Sequence, residues 1–259
     1  MLRVDATGPL LLVQDGGRPG LAHLGVGVSG AADRVGLAVA NAAVDNPLDT
    51  PALEVLLGGL VLTALADVSV AVGSRRRDLV VGEQVTVPPG DLRQYVAVRG
   101  GVSAVPVLGS CSRDTLADLG PAPLAVGDVI VAGSVAQSRV AVPTHDGLIR
   151  LHPGPRADHF HPGTLDLLAS APWTVSATSD RTAVRLEGPA LQRRTSTELP
   201  PEGLLPGAVQ VPPNGQPLVF LNDHPVTGGY PVVAVVARDD LRVLAQAAPG
   251  SEITFVATW

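Results

Sequence analysis

Short runs of Val, Leu and Ile, each bounded by Gly, Pro or Asp, recur along the chain and restrict its fold. Short runs of this kind are typical of strands joined by turns, whereas βαβ units would have longer helical segments between the strands. The runs that we predict to be strands are residues 10–13, 68–72, 79–81, 84–87, 94–98, 128–131, 139–142, 149–151, 173–177, 183–186, 209–211, 218–221, 232–236 and 252–256. The pattern predicts a mainly β protein built from barrels or sandwiches.

Three segments have the composition and spacing of short helices. Residues 31–44 form the longest, with Asp33 in the first turn, where a carboxylate is favoured. The face that we expect this helix to bury consists of Val35, Ala38, Val39 and Ala42. Residues 162–170 and 239–247 are shorter candidates. The expected fold is therefore β-rich with a few short helices.

Two segments repeat the same order of features. Residues 124–131 and 248–255 each contain a glycine turn, an acidic residue and an outgoing strand, as expected where a barrel closes. The stretch 132–146, small and polar around one short predicted strand, lies between them. We therefore predict two β domains, residues 1–138 and 139–259.

All 18 basic residues are arginine, so the chain has no lysine. This excludes a biotinyl-lysine, a Schiff-base lysine and the lysine of a phosphate loop within this sequence. The net charge of -6 argues against nucleic-acid binding, which requires a basic face. Cys111 is the only cysteine and is expected to be a small buried residue. Because no signal-peptide core or membrane-length apolar run is present, we expect a cytoplasmic protein.

Residues 221–231 carry the highest density of reactive side chains. Asp223 and His224 precede a turn that contains Thr227, two glycines and Tyr230. Glycine lets a ligand approach the backbone closely, and loops commonly hold binding and catalytic groups. We predict a functional loop here. The alternative is that the Asn and Asp side chains only stabilise the turn.

A second polar block lies near the N-terminus. Its candidate site residues are Asp15, Arg18 and Ser29, spaced by glycines. Backbone N–H groups at the start of the following helix, from Ala31, are expected to be able to hold an anion. The alternative is an internal network in which Asp15 pairs with Arg18 and Asp33 caps the helix. The density of polar groups favours a site.

Other motifs carry less weight. The glycine pattern at residues 25–30 matches a dinucleotide fingerprint, but no strand leads directly into it, which excludes a Rossmann fold. His159 and His161 could point to one side of a strand, yet no third metal ligand is evident, and we predict no metal site. The pair Arg193-Arg194 is expected in a solvated loop. Arg181 or Arg185 could bind an acidic substrate, with salt bridges to Asp180 or Glu187 as the alternative.

Three blocks together resemble one known family. They are the glycine-rich stretch 14–33, the stretch 179–189, and residues 210–217 with Thr227-Gly228-Gly229-Tyr230-Pro231 and Ala245-Gln246. These motifs closely resemble the biotin-dependent carboxyltransferase family, whose members include allophanate hydrolase subunit 2, also called the C subunit of 5-oxoprolinase. The resemblance spans nearly the whole chain.

The resemblance implies two cyclophilin-like β-barrel domains in one subunit of an ATP-dependent 5-oxoprolinase. It also implies the A and B subunits of 5-oxoprolinase as companions, the latter also called allophanate hydrolase subunit 1. ATP is then bound by or shared with a partner, so the chain alone is expected to be inactive. We assign Asp223 and His224 to proton transfer, because an acid and a base act when a lactam opens. The predicted substrate-binding residues are Thr227, Gly228, Gly229, Tyr230, Arg181, Arg185, Asp15, Arg18 and Ser29.

Two other functions stay open. Related domains imply carboxyl transfer from biotin to urea or a similar amide, for which a partner would have to carry the biotin. A non-catalytic module that regulates a partner is the third hypothesis. The sequence departs from the usual family pattern at Asp223-His224-Pro225-Val226, which makes the substrate the least determined part of the prediction.

Overall fold

The protein is described by a computed structural model covering residues 1–194 and 199–259. The expected mainly β fold with a few short helices is confirmed. The strands are β1 (Leu2–Thr7), β2 (Leu10–Gln14), β3 (Ala52–Leu56), β4 (Leu60–Ala64), β5 (Val68–Val72), β6 (Arg75–Leu79), β7 (Gln84–Thr86), β8 (Arg93–Val98), β9 (Val129–Ile130), β10 (Arg150–Pro153), β11 (Trp173–Val175), β12 (Ala183–Glu187), β13 (Glu202–Gly203), β14 (Ala208–Gln210), β15 (Leu218–Phe220), β16 (Thr227–Gly228), β17 (Val232–Val236), β18 (Glu252–Ile253) and β19 (Val256–Ala257). The helices are α1 (Arg34–Ala43), α2 (Thr164–Ser170) and α3 (Leu241–Ala245).

The chain forms two compact units. The first consists of Met1–Pro19, Ser29–Asp114 and Asp118–Thr144, and the second of Gly20–Val28, Thr115–Ala117 and His145–Trp259. The predicted division between residues 138 and 139 does not account for Gly20–Val28 and Thr115–Ala117, which precede it in the sequence but belong to the second unit. As exact domain bounds, 1–138 and 139–259 stay a prediction. None of the helices in the described residues is long and apolar enough to cross a membrane.

Two antiparallel sheets and one helix form the first unit. The sheet orders are β7-β4-β1-β9 and β2-β3-β8-β5-β6. Strands β3 and β8 are buried on both faces: Leu53 and Val96 point into the larger core, whereas Ala52 and Tyr95 pack in the cluster under α1. A helix over the second face explains why these strands lack alternating polar residues.

Helix α1 buries a different face from the predicted one. Asp33 is its N-cap and accepts a hydrogen bond from the Gly36 N–H at 2.9 Å. The buried residues of the helix are Leu37, Ala38, Ala40 and Asn41. Of the predicted face, only Ala38 is buried. The prediction was wrong because the helix begins at Arg34 and Leu37, its largest apolar side chain, faces the sheet.

The second unit is built around one long sheet. Its order is β18-β11-β12-β15-β14-β17-β10-β19, and a separate two-stranded sheet pairs β13 with β16. The core includes Trp173, whose Nε1 donates to the Leu168 carbonyl at 2.9 Å and so fastens β11 to α2. The loop 221–231 connects β15 to β17, two strands of the long sheet, and contributes β16.

The sequence-based strands differ from the structure in a few places. Strands β1, β3, β4, β6, β13 and β16 were not predicted, since the predicted strand 79–81 shares only Leu79 with β6. The run 252–256 is divided into β18 and β19. The predicted strand at 139–142 is wrong, because no neighbouring strand of the described chain pairs with it and Arg139 instead contacts Asp45. A strand exists only where its backbone groups find a partner.

Candidate functional site

Asp223 lies at the start of the predicted functional loop and is fully buried. Its Oδ2 accepts from Arg181 Nε at 2.9 Å and its Oδ1 from Arg181 Nη2 at 3.2 Å. Thr115 donates to Oδ2 from its N–H at 2.9 Å and from its hydroxyl at 2.8 Å. Burial by itself would raise the pKa of Asp223, but the Arg181 charge and these hydrogen bonds lower it. Asp223 is therefore an ionised, firmly held carboxylate.

His224 follows directly and is 5% exposed. Its Nδ1 lies 2.7 Å from the Pro225 carbonyl oxygen. Because a carbonyl only accepts, Nδ1 carries a proton, and in the neutral ring Nε2 is then the basic nitrogen. The ring also packs near Phe220, with centroids 6.3 Å apart. This arrangement fixes a buried imidazole in the tautomer that a general base requires at Nε2.

The end of the loop is held by Gln210, whose Nε2 donates to the Tyr230 carbonyl at 2.7 Å. A Cβ at Gly228 would lie 2.8 Å from the same Nε2, so the Gln210 side chain would have to shift. The Tyr230 side chain is 44% exposed. The Arg193 guanidinium carbon lies 5.4 Å from the centre of its ring, in a cation–π contact. Tyr230 thus presents an aromatic surface to solvent while Gln210 holds its backbone carbonyl.

The other predicted residues of the second unit have different surroundings. Thr227 is exposed on β16, Gly229 is exposed beyond it, and Arg185 is exposed on β12. Arg181 is buried and pairs with Asp223, whereas the Asp180 carboxylate accepts from the Thr182 N–H at 2.7 Å. The structure therefore brings Arg181 and Asp223 together, and it places Arg185 on the solvent side of its strand.

The N-terminal cluster belongs to the first unit, and Asp15 is its centre. Asp15 Oδ1 accepts from Gly17 N at 2.8 Å, from Ser110 Oγ at 2.6 Å and from Ser112 Oγ. Its Oδ2 accepts from Cys111 N at 2.6 Å. Among the described residues no ion pair joins Asp15 to Arg18, so that pairing is not the network that forms. The carboxylate instead fixes the segment 110–112.

Arg18 and Ser29 contact backbone carbonyls in and next to the same segment. Arg18 is 2% exposed and donates from Nη2 to the Ser112 carbonyl and from Nε to the Val107 carbonyl at 3.3 Å. Ser29 donates to the Arg113 carbonyl at 3.1 Å. Arg18 Nη1 is buried without a hydrogen-bond partner in the part of the chain that the structure describes. The three predicted residues of this block therefore converge on residues 112 and 113.

The N–H groups at the start of α1 are used internally. Ala31 donates to the Asp15 carbonyl at 2.9 Å, and Ala32 to Glu54 Oε2 at 3.0 Å. Asp33 donates to the Tyr95 hydroxyl oxygen at 2.8 Å, and that hydroxyl donates to Glu54 at 2.6 Å. Burial and the neighbouring Glu54 and Asp33 charges raise the pKa of Tyr95 well above its ordinary value. The expected external anion at this helix is thus replaced by the Glu54 carboxylate.

One group of potential metal ligands occurs in the described residues, namely His145, Asp146 and Asp240. Arg150 offsets part of the negative charge of this group, with Nη1 2.8 Å from Asp240 Oδ1 and Nη2 beside Asp146. His159 ends a short 3-10 turn rather than lying in a strand with His161, so the geometry considered for a histidine pair does not form.

Comparison with known proteins identifies the family. The family described as carboxyltransferase domain, subdomain A and B, matches residues 24–257. The chain belongs to the carboxyltransferase-domain family. It is 37% identical to the C subunit of 5-oxoprolinase from Escherichia coli strain K12 over 282 residues, covering 99% of this chain and 91% of that protein. The predicted family resemblance is confirmed.

Two solved structures have the same fold. TTHA0988 superposes with a TM-score of 0.85 at 35% identity, covering 98% of this chain and 55% of that chain. Urea carboxylase of Kluyveromyces lactis superposes with a TM-score of 0.88 at 25% identity, covering 99% of this chain and 27% of that chain. The present chain therefore spans about half of TTHA0988 and a quarter of the urea carboxylase.

The carboxyltransferase-domain match contains the loop 221–231, Arg181, Arg185 and Ser29, but it begins after Asp15 and Arg18. The catalytic and binding roles of all these residues stay predictions. Sequence reasoning missed Thr115, Ser110 and Ser112 as partners of the two aspartates. The sequence feature that could have indicated these three residues is the polar stretch 110–115, which has no apolar periodicity. Arg193 was assigned to a solvated loop, whereas it is half-buried against Tyr230.

The lowered pKa of Asp223 predicts an acid-sensitive contribution to stability. The contribution is present above the ordinary aspartate pKa, about 4, and is lost as the pH falls through the lower folded-state value. We expect the difference in unfolding free energy between the wild type and Asp223→Asn to be constant from about pH 5 to 7 and to shrink below about pH 4. Urea unfolding at each pH measures it. A difference that stays constant down to about pH 2.5 would contradict the ionised state of Asp223.

We expect Asp15 to stabilise the fold, in addition to being a candidate site residue. Asp15→Ala would leave the buried Cys111 N–H and the Ser110 and Ser112 hydroxyls without their acceptor. We expect a loss of about 1–3 kcal/mol in the free energy of unfolding. The exposed Asp49→Ala is the matched control and should unfold as the wild type does. Equal stability of the two variants in urea would contradict this role.

Proposed function

We propose that this chain is one subunit of an ATP-dependent 5-oxoprolinase, which hydrolyses 5-oxoproline to L-glutamate together with its A and B subunits. The likeness to the C subunit of 5-oxoprolinase over 99% of this chain and 91% of that protein supports the proposal most directly. ATP is bound by a companion subunit or shared with one, and the chain alone is inactive.

The loop 221–231 supplies the chemistry for opening the lactam. Water must add to the carbonyl carbon, the C–N bond must break, and the nitrogen must receive a proton. His224 accepts the proton of the attacking water at Nε2, since its Nδ1 proton is held by Pro225. The ionised Asp223, fixed by Arg181 and Thr115, holds the start of the loop in place and so positions the following His224.

The experiment is glutamate release by the assembled complex. This chain is co-expressed with its companion subunits, the complex is purified, and glutamate formed from 5-oxoproline is measured with and without ATP. We expect release that requires both ATP and this chain, and none from the chain alone. An assembled complex that releases no glutamate with ATP would contradict the proposal.

Carboxyl transfer from biotin to urea or a related amide is the second candidate. The superposition on Kluyveromyces lactis urea carboxylase over 99% of this chain favours it. Because the chain has no lysine, the biotin must be carried by a partner. Avidin blotting of the purified complex distinguishes the two functions, since a biotinylated partner is expected for carboxyl transfer alone.

A further inference from the structure

Arg193 is a partly buried cation, and the described residues place no carboxylate beside it. Its Nε donates to the Val211 carbonyl at 3.0 Å, and its Nη2 donates to the same oxygen. Within the described residues, no Asp or Glu oxygen lies within 4.0 Å of its guanidinium. A desolvated positive charge without a counter-charge is unfavourable. This position therefore favours a bound anion, since the described residues supply no counter-charge.

The surroundings of Arg193 are those of a binding surface. The guanidinium lies over the ring of Tyr230, which is 44% exposed, and the Tyr230 backbone is fastened by Gln210. Because one carbonyl occupies one hydrogen on Nε and one on Nη2, the Nη1 and the remaining Nη2 hydrogens form the edge that can hold a carboxylate bidentately. Burial lowers the pKa of Arg193 without neutralising it, since guanidinium stays protonated.

We propose that Arg193 binds the carboxylate of the substrate, with Tyr230 as the surface against which the ligand lies. The inference rests on the proposed function, because 5-oxoproline carries one carboxylate besides its lactam. Arg181 is less suited to this role, since its Nε and Nη2 are paired with Asp223, and Arg185 is exposed on β12. Arg193 contacts the same loop that contains His224.

The test compares variants in the assembled complex with ATP. Arg193→Gln should raise KM for 5-oxoproline roughly 10- to 100-fold, the range for losing a hydrogen-bonded charge pair, while kcat stays within about threefold. Arg193→Lys, which keeps the charge but not the bidentate geometry, should give a smaller rise. Arg194→Gln is the matched control at the exposed neighbouring arginine and should leave both constants unchanged.

The outcomes separate this inference from the proposed function. A wild-type complex that releases no glutamate contradicts the proposed function itself. A wild type that is active, with an unchanged KM in Arg193→Gln, contradicts only the role of Arg193. A fall in kcat without a rise in KM, or failure of both Arg193 variants to assemble, would show that Arg193 serves only to hold the Val211 carbonyl and would overturn the inference.

Discussion

Arg181→Ala should lower the free energy of unfolding of the chain by about 3–5 kcal/mol. The substitution removes the guanidinium that pairs with Asp223, whereas the carboxylate stays fully buried. An ion that has lost its partner in the protein interior keeps its desolvation cost without the compensating attraction. Urea unfolding followed by fluorescence measures the loss, because Trp173 is fully buried in the second unit.

Two further variants separate the ion pair from general damage to this region. Arg185→Ala, at an exposed position on β12, should unfold at the wild-type urea concentration. The double substitution Arg181→Met with Asp223→Asn should recover much of the stability, because it leaves no buried charge and keeps an acceptor for the Thr115 N–H and hydroxyl. A loss below about 1 kcal/mol in Arg181→Ala, or no recovery in the double variant, would contradict this account.

The ion pair also connects stability with the function of the loop. Thr115 and Arg181 come from distant parts of the sequence, and both hold the carboxylate that precedes His224. Loss of the pair is therefore expected to move the imidazole as well as to weaken the unit. Small displacements of a proton-transfer group reduce catalysis strongly, since the reacting atoms must stay within hydrogen-bond distance.

The sequence predicted strands best where Val and Ile are frequent. Strands β5 and β17 match the prediction residue for residue, because β-branched side chains favour extended backbone. Strands β3 (ALEVL) and β4 (LVLTA) each contain a single Val beside Ala and Leu, which also favour helices. They are strands because neighbouring β2, β8, β1 and β7 pair with them, and such pairing is not visible in a local window.

The sequence predicted only part of the candidate site, because a local window of sequence does not show contacts between distant residues. Asp223, His224 and Tyr230 are close in sequence, so their density in one glycine-rich loop indicated a site. The partners of Asp223 lie 42 residues away at Arg181 and 108 residues away at Thr115. Nothing in the local sequence relates such distant residues. Arg193 was assigned to solvent because its contact with Tyr230 likewise depends on the tertiary fold.

His224→Ala should lower kcat of the assembled complex roughly 100- to 10,000-fold, the usual contribution of a general acid or base. The reason is that Nε2 is the basic nitrogen of a buried ring whose Nδ1 proton is held by the Pro225 carbonyl. Steady-state glutamate release from 5-oxoproline with ATP measures the effect. We expect a small change in KM, because Arg193 and Tyr230 rather than His224 bind the substrate in our proposal.

The matched control is His161→Ala, which removes an exposed imidazole and should keep the wild-type kcat. His224→Gln tests the assignment further, since a carboxamide can replace a hydrogen bond but cannot take up a proton at neutral pH. It should be as inactive as the alanine variant while unfolding closer to the wild type in urea. If His224→Gln retains most of the wild-type kcat, the imidazole only orients a group, and the proton must be transferred elsewhere.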